Sequence, residues 1–212
     1  MKTKPTRESA TVTRDPVISV VVDMLTEGGP ESVQFREVAR RAAVSMTTIY
    51  KRAGTREELI AVAVESWVTD NLGRPIPAPP PGEPLADGLM RIFRHVFGPW
   101  ERNPSMLRAY HRVRSGPWGQ AVERRAWEAV EPAARRLLSG APPDYAADIE
   151  VVLTHVANGL IVRFAAGEIA STDILPLLDR VVRRLTADNS AEAAMAGQNA
   201  DTTRPASTVS SD

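Results

Sequence analysis

Residues 44–59, VSMTTIYKRAGTREEL, decide the fold of this chain. They place hydroxyl, aromatic and basic side chains between two longer segments whose apolar residues recur at helical spacing. Ser45 predicts the N-cap of a short helix over residues 46–52. Thr55, with Glu58 three positions later, predicts a capping box that opens the next helix. The stretch is therefore expected to be a short helix that displays polar chemistry between two turns.

Helical periodicity continues on both sides of this stretch. Asp15 and Pro16 predict the start of a first amphipathic helix that Gly28-Gly29 ends. Residues 35–42 predict a shorter second helix, and the apolar stripe over residues 60–68 predicts a fourth. Helix, three-residue turn and short helix is the geometry of a helix-turn-helix, whose second helix enters the major groove of DNA.

The rest of the chain is interrupted by prolines. The run over residues 74–84 is too rich in proline to be helical, so a loop is expected there. Gly98-Pro99 predicts a break or kink in the helix that follows, and Pro132 predicts a kink in a later one. Asn103-Pro104 predicts a cap followed by a first helical position, and two long apolar runs then cover residues 149–164 and 174–185.

No segment alternates apolar and polar residues as a strand does, so we expect an all-α protein. It would join an N-terminal three-helix helix-turn-helix domain to a larger helical domain. The predicted boundaries are a flexible basic arm over 1–14, the helix-turn-helix over 15–54, a connecting helix over 55–74, a loop over 75–84, the larger domain over 85–187 and a disordered tail over 188–212.

The composition suits a globular protein and excludes several kinds of site. The chain has 212 residues with 26 basic and 26 acidic side chains and 43% apolar content. It has no cysteine, and its histidines lack metal-site spacing, so we expect neither a metal nor a cofactor. We expect no bilayer-spanning run and no secretory signal, and therefore a cytoplasmic protein without membrane contact. The zero net charge still allows a local basic patch to bind DNA.

The side chains around the short helix suit DNA recognition. Hydroxyls bond base edges or phosphates, a tyrosine reaches a phosphate, and cations neutralise phosphates. Arg56 falls in the first turn of the next helix, where free N–H groups already favour a phosphate. The candidates are Ser45, Thr47, Thr48, Tyr50, Lys51, Arg52 and Arg56, with Arg36, Arg40 and Arg41 extending the positive surface. The same spacing also suits solvated caps and an ordinary surface charge run.

The stretch FREVARRAAVSMTTIYKRAGTREELI, residues 35–60, resembles the DNA-binding domain of the TetR family of bacterial repressors. The resemblance extends over residues 15 to about 68 and follows the family's order and spacing. It implies a homodimer that binds double-stranded DNA. It also implies DNA contacts at Arg36, Thr47, Thr48, Tyr50, Lys51 and Arg56.

Two residues depart from the family pattern. Ala43 stands where the family usually has glycine, and a left-handed turn there would cost roughly 1 kcal/mol. Ala53 stands where an aromatic residue normally fixes the third helix to the core, and such a truncation costs about 3–5 kcal/mol if nothing fills the space. We therefore expect either a loose end of the third helix or a compensating side chain from the first or fourth helix.

The region after the proline-rich loop is similar to the second domain of TetR-like proteins, which dimerises and binds a small ligand. Residues 102–110, RNPSMLRAY, and 171–185 are similar to regulators of steroid and lipid breakdown in actinobacteria. The last two helices carry more apolar surface than one partner would bury, which favours a dimer over a wholly intramolecular core. An apolar ligand pocket is expected from a subset of the large side chains, with Asn158 and His155 as polar candidates. The predicted ligand-binding residues are Phe93, Phe97, Trp100, Tyr110, Trp118 and Asn158.

Two other functions remain open at this stage. An enzyme is disfavoured because the chain has no glycine-rich phosphate loop, nucleophile elbow or marked pair of carboxylates. A helical module that binds a ligand or protein and has lost DNA binding is the alternative, given Ala43 and Ala53. It would have no affinity for any duplex.

Overall fold

The computed structural model describes residues 15–188 of the 212-residue chain. Over that range the backbone forms nine α-helices, two 3₁₀ turns and no strand, which confirms the all-α prediction. The predicted N-terminal arm and C-terminal tail lie outside the described residues, apart from Asp188. The helices are α1 (Pro16–Gly28), α2 (Phe35–Arg41), α3 (Met46–Arg52), α4 (Arg56–Leu72), α5 (Leu85–Arg102), α6 (Pro104–Arg114), α7 (Gly119–Leu138), α8 (Pro143–Ala165) and α9 (Ile174–Thr186), with 3₁₀ turns at Pro30–Ser32 and Ser171–Asp173.

Helix α1 begins and ends where its caps predict. The Asp15 carboxylate accepts the backbone N–H groups of Val17 at 2.8 Å and Ile18 at 3.3 Å, and Pro16 occupies the first helical position. Gly29 ends the helix with a φ of 69°, a conformation that glycine adopts without steric cost. The predicted first helix is confirmed. The 3₁₀ turn that follows it, Pro30–Ser32, was not predicted; we call it the 30–32 turn.

The turn between α2 and α3 is left-handed at Ala43, which has a φ of 53°. The Cβ of an L-residue is crowded in this region, so Ala43 costs the fold about 1 kcal/mol relative to an unstrained backbone. Ser45 caps α3 as predicted, since its Oγ accepts the Thr48 N–H at 3.2 Å.

The capping box predicted at α4 is only half formed. Thr55 Oγ1 accepts the Glu58 N–H at 3.1 Å, as expected. Glu58 Oε2 does not return to the Thr55 N–H; it accepts the Gly54 N–H at 2.7 Å. The carboxylate thus satisfies a donor one residue earlier, at the junction that follows α3.

The internal prolines do not end the helices that contain them. Helix α5 continues through Pro99 to Arg102, so Gly98-Pro99 does not break it, and α7 continues through Pro132 to Leu138. The kinks expected at Pro99 and Pro132 stay predictions. Asn103 was expected to cap α6 with its side chain, but it makes no such bond. Its Nδ2 donates back to the Pro99 carbonyl at 3.0 Å, where the end of α5 leaves acceptors unpaired.

One main apolar core joins the two ends of the molecule. Helix α4 lies at its centre and packs against α1, α5, α6 and α7, while α6 also packs on α1 and the 30–32 turn. A smaller apolar cluster lies between α5, α8 and α9, around Met90, Ile149 and Val182. The short helices α2 and α3 pack on each other, and α2 also packs on α1, at one end of this body.

Helix α8 keeps a largely exposed apolar face. Val151 is 57% exposed, Val152 38% and Val162 50%. Among the described residues α8 is also the helix whose length and apolar composition would suffice to cross a bilayer, so the expectation of no such run was wrong. One helix of this kind is weak evidence for a membrane, because core and interface helices have the same composition. Helix α9, in contrast, exposes Arg180, Arg183 and Arg184.

Candidate nucleic-acid interface

Helix α3 turns nearly all of its side chains toward solvent. Ile49 is its one buried residue and attaches the helix to the core. Tyr50 is 58% exposed, a high value for a large aromatic side chain. We call the exposed set the α3 surface: Arg36 of α2 together with Ser45, Thr47, Thr48, Tyr50 and Lys51. The structure therefore brings these six predicted DNA-contact residues together on the exposed side of α2 and α3.

Two of these side chains also stabilise the helix that carries them. The Ser45 and Thr48 hydroxyl oxygens lie 3.0 Å apart, within hydrogen-bond distance of each other. Ser45 Oγ accepts the Thr48 N–H as well. Because this cap fixes both hydroxyls, their positions relative to the backbone of α3 are set before any ligand arrives.

Tyr50 is oriented by a contact with α2. Its ring meets the ring of Phe35 edge to face, with 5.3 Å between the ring centroids and 78° between their planes. Phe35 is the first residue of α2, so this contact also helps to fix the angle between the two helices. The contact with Phe35 therefore restricts the orientation of the Tyr50 ring.

The end of α3 is held from both neighbouring helices, which addresses the missing aromatic at position 53. Ala53 is 2% exposed and fits within the core. Arg52 forms an ion pair with Asp15, the N-cap of α1, and Glu58 of α4 accepts the Gly54 N–H. These two polar contacts come from the N-cap of the first helix and from the fourth helix, the two elements from which a compensating side chain was expected.

The cations of α2 are less available than predicted. Glu37 accepts hydrogen bonds from Arg40 at 2.6 Å and 2.8 Å and from Arg41 at 2.8 Å. Arg41 also pairs with Glu27 at 2.9 Å. The hydrogen bonds from Arg40 and then Arg41 lower the pKa of Glu37 to about 2, so this carboxylate stays charged at neutral pH. Glu37 and Glu27 thus neutralise much of the positive surface that Arg40 and Arg41 were expected to supply.

Arg56 differs from the other predicted DNA contacts because its guanidinium is bonded to backbone carbonyls. Its Nε donates to the Val33 carbonyl at 2.7 Å, and its Nη2 donates to the Pro30 carbonyl. Its side chain is only 26% exposed. In this structure the guanidinium therefore holds the backbone between α1 and α2, a role that the sequence analysis missed.

Most of the predicted ligand-binding aromatics are packed against one another. The centroid of the Trp100 ring lies 4.2 Å from that of Trp67 and 5.0 Å from that of Tyr110, and Phe93 and Phe97 are 6.3 Å apart. Phe97, Trp100 and Tyr110 are buried, while Phe93 and Trp118 are partly buried against the core. Burial raises the pKa of Tyr110 to about 12. We call Trp67, Trp100 and Tyr110 the aromatic cluster; Trp67 was predicted only as a core residue of α4.

Asn158 differs from the aromatic candidates because it lies in an open cleft. The cleft has a volume of about 340 Å³ between α6, α7 and α8. Arg114 and Glu123 form an ion pair at its edge, and burial lowers the pKa of His111, with a further contribution from Arg114. Its lining is His111, Arg114, Ser115, Glu123, Asn158, Gly159 and Val162. The signal that could have identified it is the set of polar residues His111, Arg114 and Ser115 at the end of a helix.

His155, the other polar ligand candidate, and a second cleft lie away from the 340 Å³ cleft. His155 is exposed on α8, and its Nδ1 lies 2.7 Å from the Val151 carbonyl. A second, more open cleft of about 490 Å³ lies beside the end of α8, where Arg108 stacks over the Phe164 ring at 5.2 Å. Within residues 15–188 no group of three or more histidine, aspartate or glutamate side chains is arranged to hold a metal ion.

Comparison with protein families identifies both halves of the chain. Residues 18–63 match the model of bacterial regulatory proteins of the tetR family. Residues 82–185 match the model of the tetracyclin repressor-like C-terminal domain. The chain belongs to the TetR family. TetR proteins are DNA-binding transcription regulators and not enzymes, so the helix-turn-helix assignment and the non-enzymatic prediction both agree with the family.

Solved structures show the same TetR fold. A TetR transcriptional regulator from Rhodococcus sp. RHA1 aligns with a TM-score of 0.61 at 21% identity, over 82% of this chain and 95% of that one. A tetR-family regulator from Streptomyces coelicolor aligns with a TM-score of 0.61 at 19% identity, over 86% and 84% of the two chains. At this identity the likeness concerns the fold alone. A search of curated protein sequences found no match.

Proposed function

We propose that this TetR protein is a repressor that binds a palindromic operator as a homodimer through the α3 surface. The observation that carries the proposal is that α3 buries only Ile49 and presents its hydroxyls, its tyrosine and Lys51 to solvent. Such side chains can bond base edges and phosphates from a helix seated in the major groove. The protein would act in the cytoplasm, where its operator is accessible.

The dimer follows from the size of the recognition helix and from α8. A helix as short as α3 reads one half-site, and two half-sites about one helical turn apart need two copies related by a two-fold axis. The exposed valines at 151, 152 and 162 give α8 an apolar face for the second copy. Because α9 exposes arginines, α8 is the principal apolar element of the proposed interface.

The proposed effector is a small apolar molecule derived from a steroid or a lipid, and the resemblance of residues 102–110 supports this class. Asn158, in the 340 Å³ cleft, is the predicted ligand residue that already faces open space. The buried rings of Phe97, Trp100 and Tyr110 could contact a ligand only after rearrangement. A ligand that prefers the rearranged state would lower DNA affinity through that difference in affinity.

The test of DNA binding is selection of the purified full chain against a randomised duplex library at low salt. We expect enrichment of a palindrome with half-sites about one turn apart. The Tyr50→Ala variant, run in parallel, should enrich nothing. If the folded protein enriches no sequence and retains no duplex, the alternative holds: a helical binding module that has lost DNA recognition.

The dimer is tested separately by light scattering. Val162→Asp places a charge on the exposed face of α8, where burial against a second copy would be costly. We expect the unaltered chain to have the mass of a dimer at micromolar concentration and the variant to have the mass of a monomer. Arg180→Asp, an exposed substitution on α9, is the control and should remain dimeric. A monomeric unaltered chain would contradict the symmetric-operator proposal.

A further inference from the structure

A ring of four charged side chains joins three elements that are far apart in the sequence. Arg112 of α6 donates to Glu57 of α4 from Nε at 3.1 Å and from Nη2 at 2.9 Å. It also donates from Nη1 to Glu31 of the 30–32 turn at 2.5 Å. Arg56 closes the ring, 3.0 Å from Glu57 and 3.4 Å from Glu31. We call Glu31, Arg56, Glu57 and Arg112 the charge ring; each carboxylate lies between two guanidinium groups.

The charge ring is connected to the backbone that leads into α2. Arg56 donates to the Val33 carbonyl at 2.7 Å and to the Pro30 carbonyl. Val33 is fully buried and lies next to Gln34, the N-cap of α2. Phe35 then contacts the Tyr50 ring of the α3 surface. Contacts therefore run without interruption from α6, through the ring and this short backbone segment, to a proposed DNA contact.

We propose that Arg112 is a positioning residue for DNA binding, which fixes the 30–33 backbone through the charge ring and thereby sets the placement of α2 and α3. The proposal rests on the proposed function of the α3 surface. Arg112 acts through Glu31, Glu57 and Arg56 and does not itself contact DNA. It is distinct from the predicted contacts because it belongs to α6, in the region matched by the C-terminal family model.

Arginine suits this position for a geometric reason. Its planar guanidinium bonds both oxygens of Glu57 with one edge and still reaches Glu31 with Nη1. A lysine ammonium is a single point charge and cannot hold both carboxylates in this arrangement. The 30–32 turn has a second attachment, since the Ser32 hydroxyl lies 2.8 Å from the Met24 carbonyl and 2.7 Å from the Gly29 carbonyl, which share its one hydrogen. Loss of Arg112 should therefore loosen the turn without unfolding the protein.

The location of Arg112 also links the charge ring to the 340 Å³ cleft. His111 and Arg114, on either side of Arg112 in the last turns of α6, line that cleft. The last turns of α6 thus line the cleft with His111 and Arg114 and contact the helix-turn-helix region through Arg112. An effector that moves this segment would move Arg112 with it.

The test uses two substitutions that change the charge in opposite directions. Arg112→Gln removes a positive charge, and Glu57→Gln removes a negative one. If only long-range attraction to DNA mattered, the first would weaken binding and the second would strengthen it. Positioning predicts that both weaken binding to the duplex selected by the unaltered protein, by roughly three- to tenfold each, with an effect in the double variant smaller than the product of the two. Arg112→Lys should fall between Arg112→Gln and the unaltered chain.

Arg125→Gln is the matched control. Arg125 of α7 also pairs with a glutamate of α4, Glu65 at 3.6 Å, but it has no bond to the 30–32 turn. The charge change is identical, so equal loss of affinity in Arg125→Gln and Arg112→Gln would overturn the proposal. Stronger binding by Glu57→Gln would overturn it as well.

A second measurement separates this proposal from the proposed function. Hydrogen–deuterium exchange of the free, full-length protein should show faster exchange over residues 29–35 in Arg112→Gln than in Arg125→Gln. This comparison needs no DNA, so it decides the structural part even if no duplex is ever selected. Unchanged exchange over 29–35 would refute positioning by Arg112, whatever the chain does with DNA.

Discussion

The α3 surface and the aromatic cluster place large aromatic side chains in opposite environments. Tyr50 is 58% exposed and has one ring neighbour, whereas Trp100 is 3% exposed and lies between Trp67 and Tyr110. The exposed ring is free to meet a partner. The buried ring already has its partners within the protein, and a ligand would have to compete with them.

This difference shows what an aromatic residue in a sequence can and cannot reveal. A tyrosine among hydroxyls and cations on a short helix has little to pack against, so its exposure is predictable. Tryptophans spread over long amphipathic helices can fill a core or line a pocket, and their spacing is the same in both cases. Substitutions at the two sites should therefore affect different measured quantities.

The largest effect is expected in the aromatic cluster. Trp100→Ala should lower the free energy of unfolding by about 3–5 kcal/mol, because it leaves a cavity between two packed rings. Chemical denaturation of the purified protein measures this change. Trp127→Ala, at a tryptophan that is 39% exposed, is the matched control and should cost clearly less. Equal costs would mean that the space around Trp100 is not tightly packed, and a ligand pocket there would gain support.

Substitution at the α3 surface should act on DNA affinity and spare the fold. Tyr50→Ala should weaken binding to the selected duplex by about 1–3 kcal/mol per half-site contact, with an unchanged circular dichroism spectrum. Tyr50→Phe keeps the contact with Phe35 and removes only the hydroxyl, so it separates ring packing from hydrogen bonding. Full affinity in Tyr50→Ala would remove the α3 surface from the DNA interface.

Removal of the carboxylate that restrains the α2 cations should change the salt dependence. Glu37→Gln takes away the partner that Arg40 and Arg41 share. Within residues 15–188 Arg40 is then free of a carboxylate partner, while Arg41 keeps Glu27. A freed arginine can displace a counterion from a phosphate, so the slope of log K against log salt should become more negative by about 1. Anisotropy titrations at several salt concentrations measure the slope. An identical slope would show that these arginines do not approach DNA.

The same carboxylate determines a pH prediction. The pKa of Glu37 is lowered to about 2, so its ion pairs are fully present above its ordinary value of 4.5 and are lost as the pH falls toward 2. Between pH 6 and 8 Glu37 should therefore cause no change in DNA affinity. A loss of the Glu37→Gln effect within that range would contradict this assignment.

The smallest effect is expected at the turn between α2 and α3. Ala43→Gly relieves the left-handed strain at a φ of 53°, while the greater freedom of unfolded glycine offsets part of the gain. The net stabilisation should be at most about 0.5 kcal/mol, measured by thermal unfolding, with DNA affinity nearly unchanged. Destabilisation by this substitution would mean that the alanine methyl group makes contacts that outweigh the strain.

Much of the fold was predictable because its signals are local. Asp15 with Pro16, and Ser45 before residue 46, fix helix starts through bonds to nearby backbone groups. The exposure of the α3 surface follows from the same local reasoning. A helix-turn-helix can therefore be placed from a few caps and an apolar period.

The features that were missed are choices between competing hydrogen-bond acceptors. Arg56 has the sequence position of a phosphate contact, yet its bonds go to Val33 and Pro30. Asn103 has the composition of an N-cap, yet it bonds the preceding helix. Nothing in the local sequence distinguishes these choices, because each depends on which acceptor the folded chain brings near.

The most direct test of the central claim is hydrogen–deuterium exchange of the full chain with and without its selected duplex. DNA should slow exchange over residues 45–52 and leave the segments around Trp67, Trp100 and Tyr110 unchanged. That result would place recognition on the α3 surface. Protection concentrated on α7 and α8, with none over 45–52, would contradict the account and assign DNA to a different face of the protein.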